Sequence, residues 1–145
     1  MARYSASALT SAGSTTLPIM SLYGSASVRP RLRELHLFNA TSTAVSLKLV
    51  RVTTAGTRGS AVTAMPEVAE DPAAAAAAYQ THTVAPTITS GDLFRCVLGA
   101  AAGAGIMYTF PDQGIVIPMT ANNGLAVVVS TGTGQTVECT FVWDE

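Results

Sequence analysis

Apolar and polar positions alternate with period two along the last stretch of the chain. In QTVECTFVWDE, Val137, Cys139, Phe141 and Trp143 fall on one face, and Thr136, Glu138, Thr140 and Val142 on the other. That pattern predicts a strand with one face buried. Three further β-branched runs precede it, GIMYTF, GIVIPMT and GLAVVVST, separated by PDQ, ANN and GTG. Short apolar runs cut by turn residues at this density predict an antiparallel meander from Gly105 to Glu145.

The same reading continues upstream. RLRELHLFN (31–39) and AVSLKLVRVTT (44–54), joined by ATST, form a hairpin-like pair. Leu35 and Leu37 share a face opposite Glu34, His36 and Phe38. Val45, Leu47 and Leu49 share another, after which Val50 and Val52 break the parity, predicting a β-bulge or a sharp twist at a sandwich corner. In EVAEDPAAAAAAYQTH, Asp71 suits an N-cap, Pro72 the first helical position and the alanines a helix, predicting two turns over about 72–80. Strand-like runs resume with TVAPTIT and LFRCVLGAA. Residues 1–30 stand apart, without charge between Arg3 and Arg29. They read either as an uncharged N-terminal arm or as first strands around Tyr4–Thr10 and Thr15–Leu22. The expected fold is all-β, a β-sandwich or jelly roll of about eight to ten antiparallel strands with one short Ala-rich helical insertion. The body of the sandwich spans 31–145 and the arm 1–30.

Composition sharpens the functional side. The 145 residues suffice for one domain with a real core. Only 12% are charged, about half the usual share, so much of the surface is small, neutral and cheap to desolvate, as interface cores are. A net charge of −1 and a single cationic cluster, Arg29, Arg31 and Arg33, give too small a footprint for nucleic acid. The strip reads as a solvated strand face or as a pairing site for a neighbour's acids. The N-terminus lacks the apolar core of a signal peptide, and no stretch is long enough for a membrane span, so a cytoplasmic origin is expected. Cys96 and Cys139 read as two buried free thiols, with a cross-strand disulfide as the alternative.

Chemistry-bearing sets are missing. His36 and His82 lack a third partner for a metal. Glu67, Glu70 and Asp71 suit a helix start better than a glycosidase cleft. No serine sits in a G-x-S-x-G elbow, and the glycines of LGAAAGAGIMY lack a strand–turn–helix context. Asn39-Ala40-Thr41 matches a glycosylation acceptor but reads as a turn. No catalytic, cofactor or metal residue is assigned.

The run TFPDQGIVIPMTANNGLAVVVSTGTGQTVECTFVWDE, with LRELHLFNATSTAVSLKLVRVTTAG and the acidic-Pro-Ala segment before it, resembles small jelly-roll proteins of tailed bacteriophage particles. The likeness covers most of residues 31–145. It implies a non-enzymatic virion structural protein: a capsid decoration, or cement, protein on the capsid exterior, made in the host cytoplasm. Such a protein binds and stabilises the head lattice, as a homotrimer whose partners are the major capsid protein and itself, without nucleic acid, membrane or cofactor. Tyr4, Leu9, Leu17 and Ile19 of the arm, with Arg29, Arg31 and Arg33, are the expected contact residues. The alternative is a receptor- or carbohydrate-binding module of a tail or fibre, using loop aromatics such as Tyr23, Tyr79 and Tyr108.

Overall fold

The computed structural model describes all residues 1–145 and consists of strands and loops, with no helix. In chain order the strands are β1 (Arg3–Leu9), β2 (Met20–Tyr23), β3 (Arg31–Asn39), β4 (Val45–Val52), β5 (Ser60–Val62), β6 (Met65–Pro66), β7 (Ala77–Gln80), β8 (Phe94–Leu98), β9 (Gly105–Thr109), β10 (Ile115–Val116), β11 (Gly124–Thr131) and β12 (Val137–Asp144). They form two six-stranded antiparallel sheets packed face to face. The first runs β10–β3–β12–β1–β6, with β9 sharing the β10 edge of β3; the second runs β5–β7–β2–β11–β4–β8. One continuous core fills the space between them. Tyr4, Leu35, Leu37, Phe141 and Trp143 enter it from the first sheet, and Leu22, Leu47, Leu49, Leu125 and Val127 from the second.

The period-two reading of the last strand holds, with Val137, Cys139, Phe141 and Trp143 all in this core. The extra residue in the ladder belongs to β3. Val142 pairs with Glu34 and Trp143 with Leu32, so Arg33 bulges near the start of β3 and lets both Leu32 and Leu35 face the core. Residues 1–30 do not form a separate arm: β1 lies between β12 and β6, and β2 between β11 and β7.

Two expectations fail for identifiable reasons. Val50 and Val52 mark no bulge, since β4 pairs with β11 in unbroken register from Val52 to Leu47. They point outward because the outer face of the second sheet is itself covered. There Tyr23, Val50, Val52, Ala126 and Val128 form a second buried cluster, with Ala55, Tyr79 and Ile88 packed against it. Two crossing stretches, 53–59 and 81–89, roof that face and bond to each other through the Thr57–Val84 bridge and Thr83 N–H to Thr57 O. Alternation was intact; both faces are dry.

The Ala-rich helix is the second correction. Residues 77–80 are β7, held between β2 and β5, and the stretch before it is irregular. Tertiary bonding overrides propensity here. The Glu145 carboxylate accepts the Ala75 and Ala76 N–H groups and the Trp143 indole N–H, while Tyr4 Oη donates to Pro72 O at 2.8 Å. Ala76 and Ala78 are buried against the core, where only a methyl group is presented. Glu145→Ala is expected to lower stability by about 1–2 kcal/mol and to speed hydrogen exchange at Ala75 and Ala76. Urea unfolding and amide exchange check both.

Candidate interaction surfaces

The outer face of the first sheet carries no roof. Its cross-strand rows read Ser7–Thr140–His36–Met107 and Leu9–Glu138–Phe38–Gly105. Ser7 Oγ and Thr140 Oγ1 are 2.7 Å apart, and His36 Nε2 lies 3.0 Å from Glu34 Oε2. Phe38 lies flat over Gly105, where any Cβ would strike the ring, a cover for an edge glycine. The face sets Ser5, Ser7, Thr109 and Thr140 among the exposed Leu9 and Met107 and the charged Arg3, Glu34, Glu138 and Asp144.

The predicted contact residues separate on this frame. Tyr4 and Ile19 are fully buried in the core, a correction explained by β1 and the start of β2 being interior to their sheets. Leu9 is exposed on the open face, and Leu17 is half-buried in the β1–β2 connection. Arg29 is exposed, whereas Arg31 and Arg33 are half-buried and engaged within the chain. Arg31 donates to Gln113 Oε1 and Arg33 to Asp112 O, both in the turn between β9 and β10. Asp144 pairs with Arg3 at 2.8 Å and with Arg33 Nε at 3.4 Å, the latter too poorly aligned for a hydrogen bond. The cationic strip is thus largely spent on its own chain.

Of the three tyrosines, Tyr23 is fully buried, and Tyr79 packs edge-on against it at 6.1 Å. The Arg58 guanidinium sits over both rings, 4.4 and 4.9 Å from their centroids, and ties the roof to Ala121 O and Asn122 Oδ1. Tyr108 alone is exposed, tilted against Phe94 and edge-on to Phe110 where β8 and β9 flank the sandwich.

One pairing had no sequence signal, because its members are 61 residues apart: Ser21 Oγ lies 2.9 Å from His82 Nε2 under the roof. Serine beside imidazole is half of a hydrolytic triad, but here the hydroxyl is fully buried and His82 Nδ1 has no partner to orient it. Burial, aided by Arg58, lowers the His82 pKa below its ordinary 6.5. Between those two values the unfolded chain binds the extra proton, so the stability contributed at neutral pH is lost as pH falls through 6.5. His82→Gln is expected to flatten that acid-side slope in urea titrations between pH 7.5 and about 5.

The cysteines are both free and lie on opposite sheets, Cys139 buried and Cys96 half-buried. Burial pushes the Cys96 thiol up to about 11 and that of Cys139 further. No three His, Cys, Asp or Glu side chains converge as a metal set, and no cleft opens into the core. No protein family, curated protein or solved structure matches this chain. Its function must therefore be inferred from its own surfaces.

Proposed function

We propose that the chain is a non-enzymatic virion structural protein, a jelly-roll decoration protein that binds and stabilises a tailed-phage head lattice as a homotrimer. The observation that carries this reading is the strand order. If the two-residue β10 and the excursion β5–β7 are set aside, eight strands remain, β1, β2, β3, β4, β8, β9, β11 and β12. The first sheet orders them first, eighth, third, sixth, and the second orders them second, seventh, fourth, fifth. That interleaving supports two nested Greek keys, the jelly roll found in viral capsid and lectin domains.

The surfaces favour the capsid branch of that pair. A lectin needs exposed aromatics over a cleft, and two of the three candidate tyrosines are committed to the roof. The open face of the first sheet instead sets the exposed Leu9 and Met107 among small polar residues and paired charges, the mixed character of a surface that docks on another protein. A protein that binds the assembled lattice and not its free subunits stabilises the shell by mass action at every site.

The test uses particles of the source phage. Capsids stripped of the protein should rupture at lower temperature than decorated ones, and adding back the purified chain should restore the difference. Failure of the purified chain to bind stripped capsids would overturn the reading. Binding to tail tips or to glycans alone would transfer it to receptor recognition.

A further inference from the structure

The roof over the second sheet is held down lightly. Residues 53–59 and 81–89 bond chiefly to each other: Thr53 N–H to Thr87 O, Thr57 N–H to Val84 O and Thr83 N–H to Thr57 O. Gly56, at φ 59°, lets the two stretches close to backbone contact, since any Cβ there would strike Val84 O. Toward the sheet the roof turns few side chains. His82 and Pro86 are buried, and Ala55, Arg58 and Ile88 half-buried. Two hydrogen bonds reach the face itself: Tyr23 Oη donates to Ala55 O at 3.3 Å, and Ser21 Oγ meets His82 Nε2 at 2.9 Å. The β4 edge anchors one end through the Val52–Ile88 bridge and Thr89 N–H to Arg51 O. At the other end Thr81, which leads into His82, sits at φ 55°, a strained conformation for a β-branched residue.

Beneath the roof lie Tyr23, Val50, Val52, Ala126 and Val128, a cluster distinct from the core between the sheets. Baring it leaves the sandwich closed, the condition for opening one part of a fold without the rest.

His82 is the one roof side chain whose charge changes near neutral pH. The charged group bearing on it is Arg58, from the other crossing stretch. Arg58 in turn sits over Tyr23 of β2 and Tyr79 of β7, the titratable side chains those strands place under the roof. β4 and β11 contribute only Val50, Val52, Ala126 and Val128 to the cluster, and no carboxylate bears on the ring. In either neutral tautomer His82 Nδ1 is buried without a partner. Protonation makes it a charged N–H lacking an acceptor, near a second cation and out of reach of solvent. The lowered pKa of this imidazole is in keeping with that cost.

We infer that residues 53–59 and 81–89 form an acid-released flap: protonation of His82 lifts it from the second sheet and bares the apolar cluster beneath, while the sandwich core stays shut. The flap stands independently of the virion reading, and its test uses the isolated chain. The open flap lets water solvate the imidazolium, so the open state binds the proton better and gains population as pH falls below 6.5.

Hydroxyl-radical footprinting read by mass spectrometry tests the inference. Tyr23 is fully buried under the flap and reports its opening, whereas Tyr4 and Trp143, equally buried in the sandwich core, are internal controls. Between pH 7.5 and about 5, the ratio of Tyr23 to Tyr4 oxidation should climb by up to about tenfold per unit below 6.5. His82→Gln keeps a polar partner for Ser21 but does not titrate, and its ratio should stay flat. In wild type the His82 imidazole resonances, followed by NMR, should change over the same pH interval as the Tyr23 signal. The inference is overturned if the wild-type ratio is flat, or if Tyr4 and Trp143 rise in step with Tyr23. It is equally overturned if the glutamine variant still responds, or if the Tyr23 and imidazole midpoints differ. Three of those four outcomes need no variant, so a misfolded His82→Gln chain leaves the inference open to refutation.

Discussion

Asn39→Asp is expected to destabilise the fold by about 3–5 kcal/mol at neutral pH, a large part of the stability of an ordinary domain. The Asn39 side chain is buried and uses its whole capacity. Nδ2 donates to Thr43 O at 2.7 Å and to Gly99 O at 2.8 Å, while Oδ1 accepts from Thr41 N and Thr41 Oγ1, each at 2.9 Å. Its backbone adds two more bonds, N–H to Ala104 O and carbonyl from Gly103 N–H. One residue thus locks the β3–β4 turn to the β8–β9 connection. A carboxylate there has no proton for either carbonyl and cannot be hydrated. Its pKa should rise above the usual carboxylate range, so the deficit should shrink as pH falls and a proton is restored. Urea midpoints at pH 7 and pH 5 measure both effects; a variant equally weak at both would show that the carbonyls are not the cause. The same geometry keeps the Asn39-Ala40-Thr41 acceptor nitrogen inside the folded protein.

Trp143→Ala should cost about 3–5 kcal/mol. The indole is fully buried, stacks on Tyr4 with centroids 5.9 Å apart, and donates to Glu145 Oε2 at 3.2 Å. Its loss opens a cavity beneath β1 and frees the carboxylate that pins the Ala-rich segment. Trp143→Phe should retain most of the packing and lose mainly the indole hydrogen bond, a smaller deficit. Equal losses from the two changes, read from thermal or urea unfolding, would mean that the ring's volume contributes little.

These two sites show where the sequence was legible. Trp143 was placed in the core by simple alternation, because β12 has one wet and one dry face. Alternation fails as a guide where both faces are dry, as at Val50 and Val52, since nothing local announces that residues 53–59 and 81–89 will fold back as a roof. The alanines 73–78 misled for a related reason: their helix propensity is real, but the carboxylate that takes up their N–H groups is Glu145, at the far end of the chain. Ser21 and His82 meet only through the same roof. For the candidate surfaces, low charge near β8 and β9 was visible in the sequence. The acids Glu67, Glu70 and Asp71 were visible too, but were read as a helix start, whereas they lie in the irregular stretch between β6 and β7.

The pairing of β1 with β12 has a consequence during synthesis. Tyr4 meets Trp143 and Ala2 exchanges two hydrogen bonds with Glu145, so the first strand made has its principal partner in the last. β1 and β3 flank β12, and the first sheet therefore stays split in two until β12 has been made. Such long-range closure makes folding slow and exposes sticky edges to neighbouring chains meanwhile. A chain lacking β12 would lack the strand that joins its halves, and should expose the inner edges of β1 and β3 to quality control.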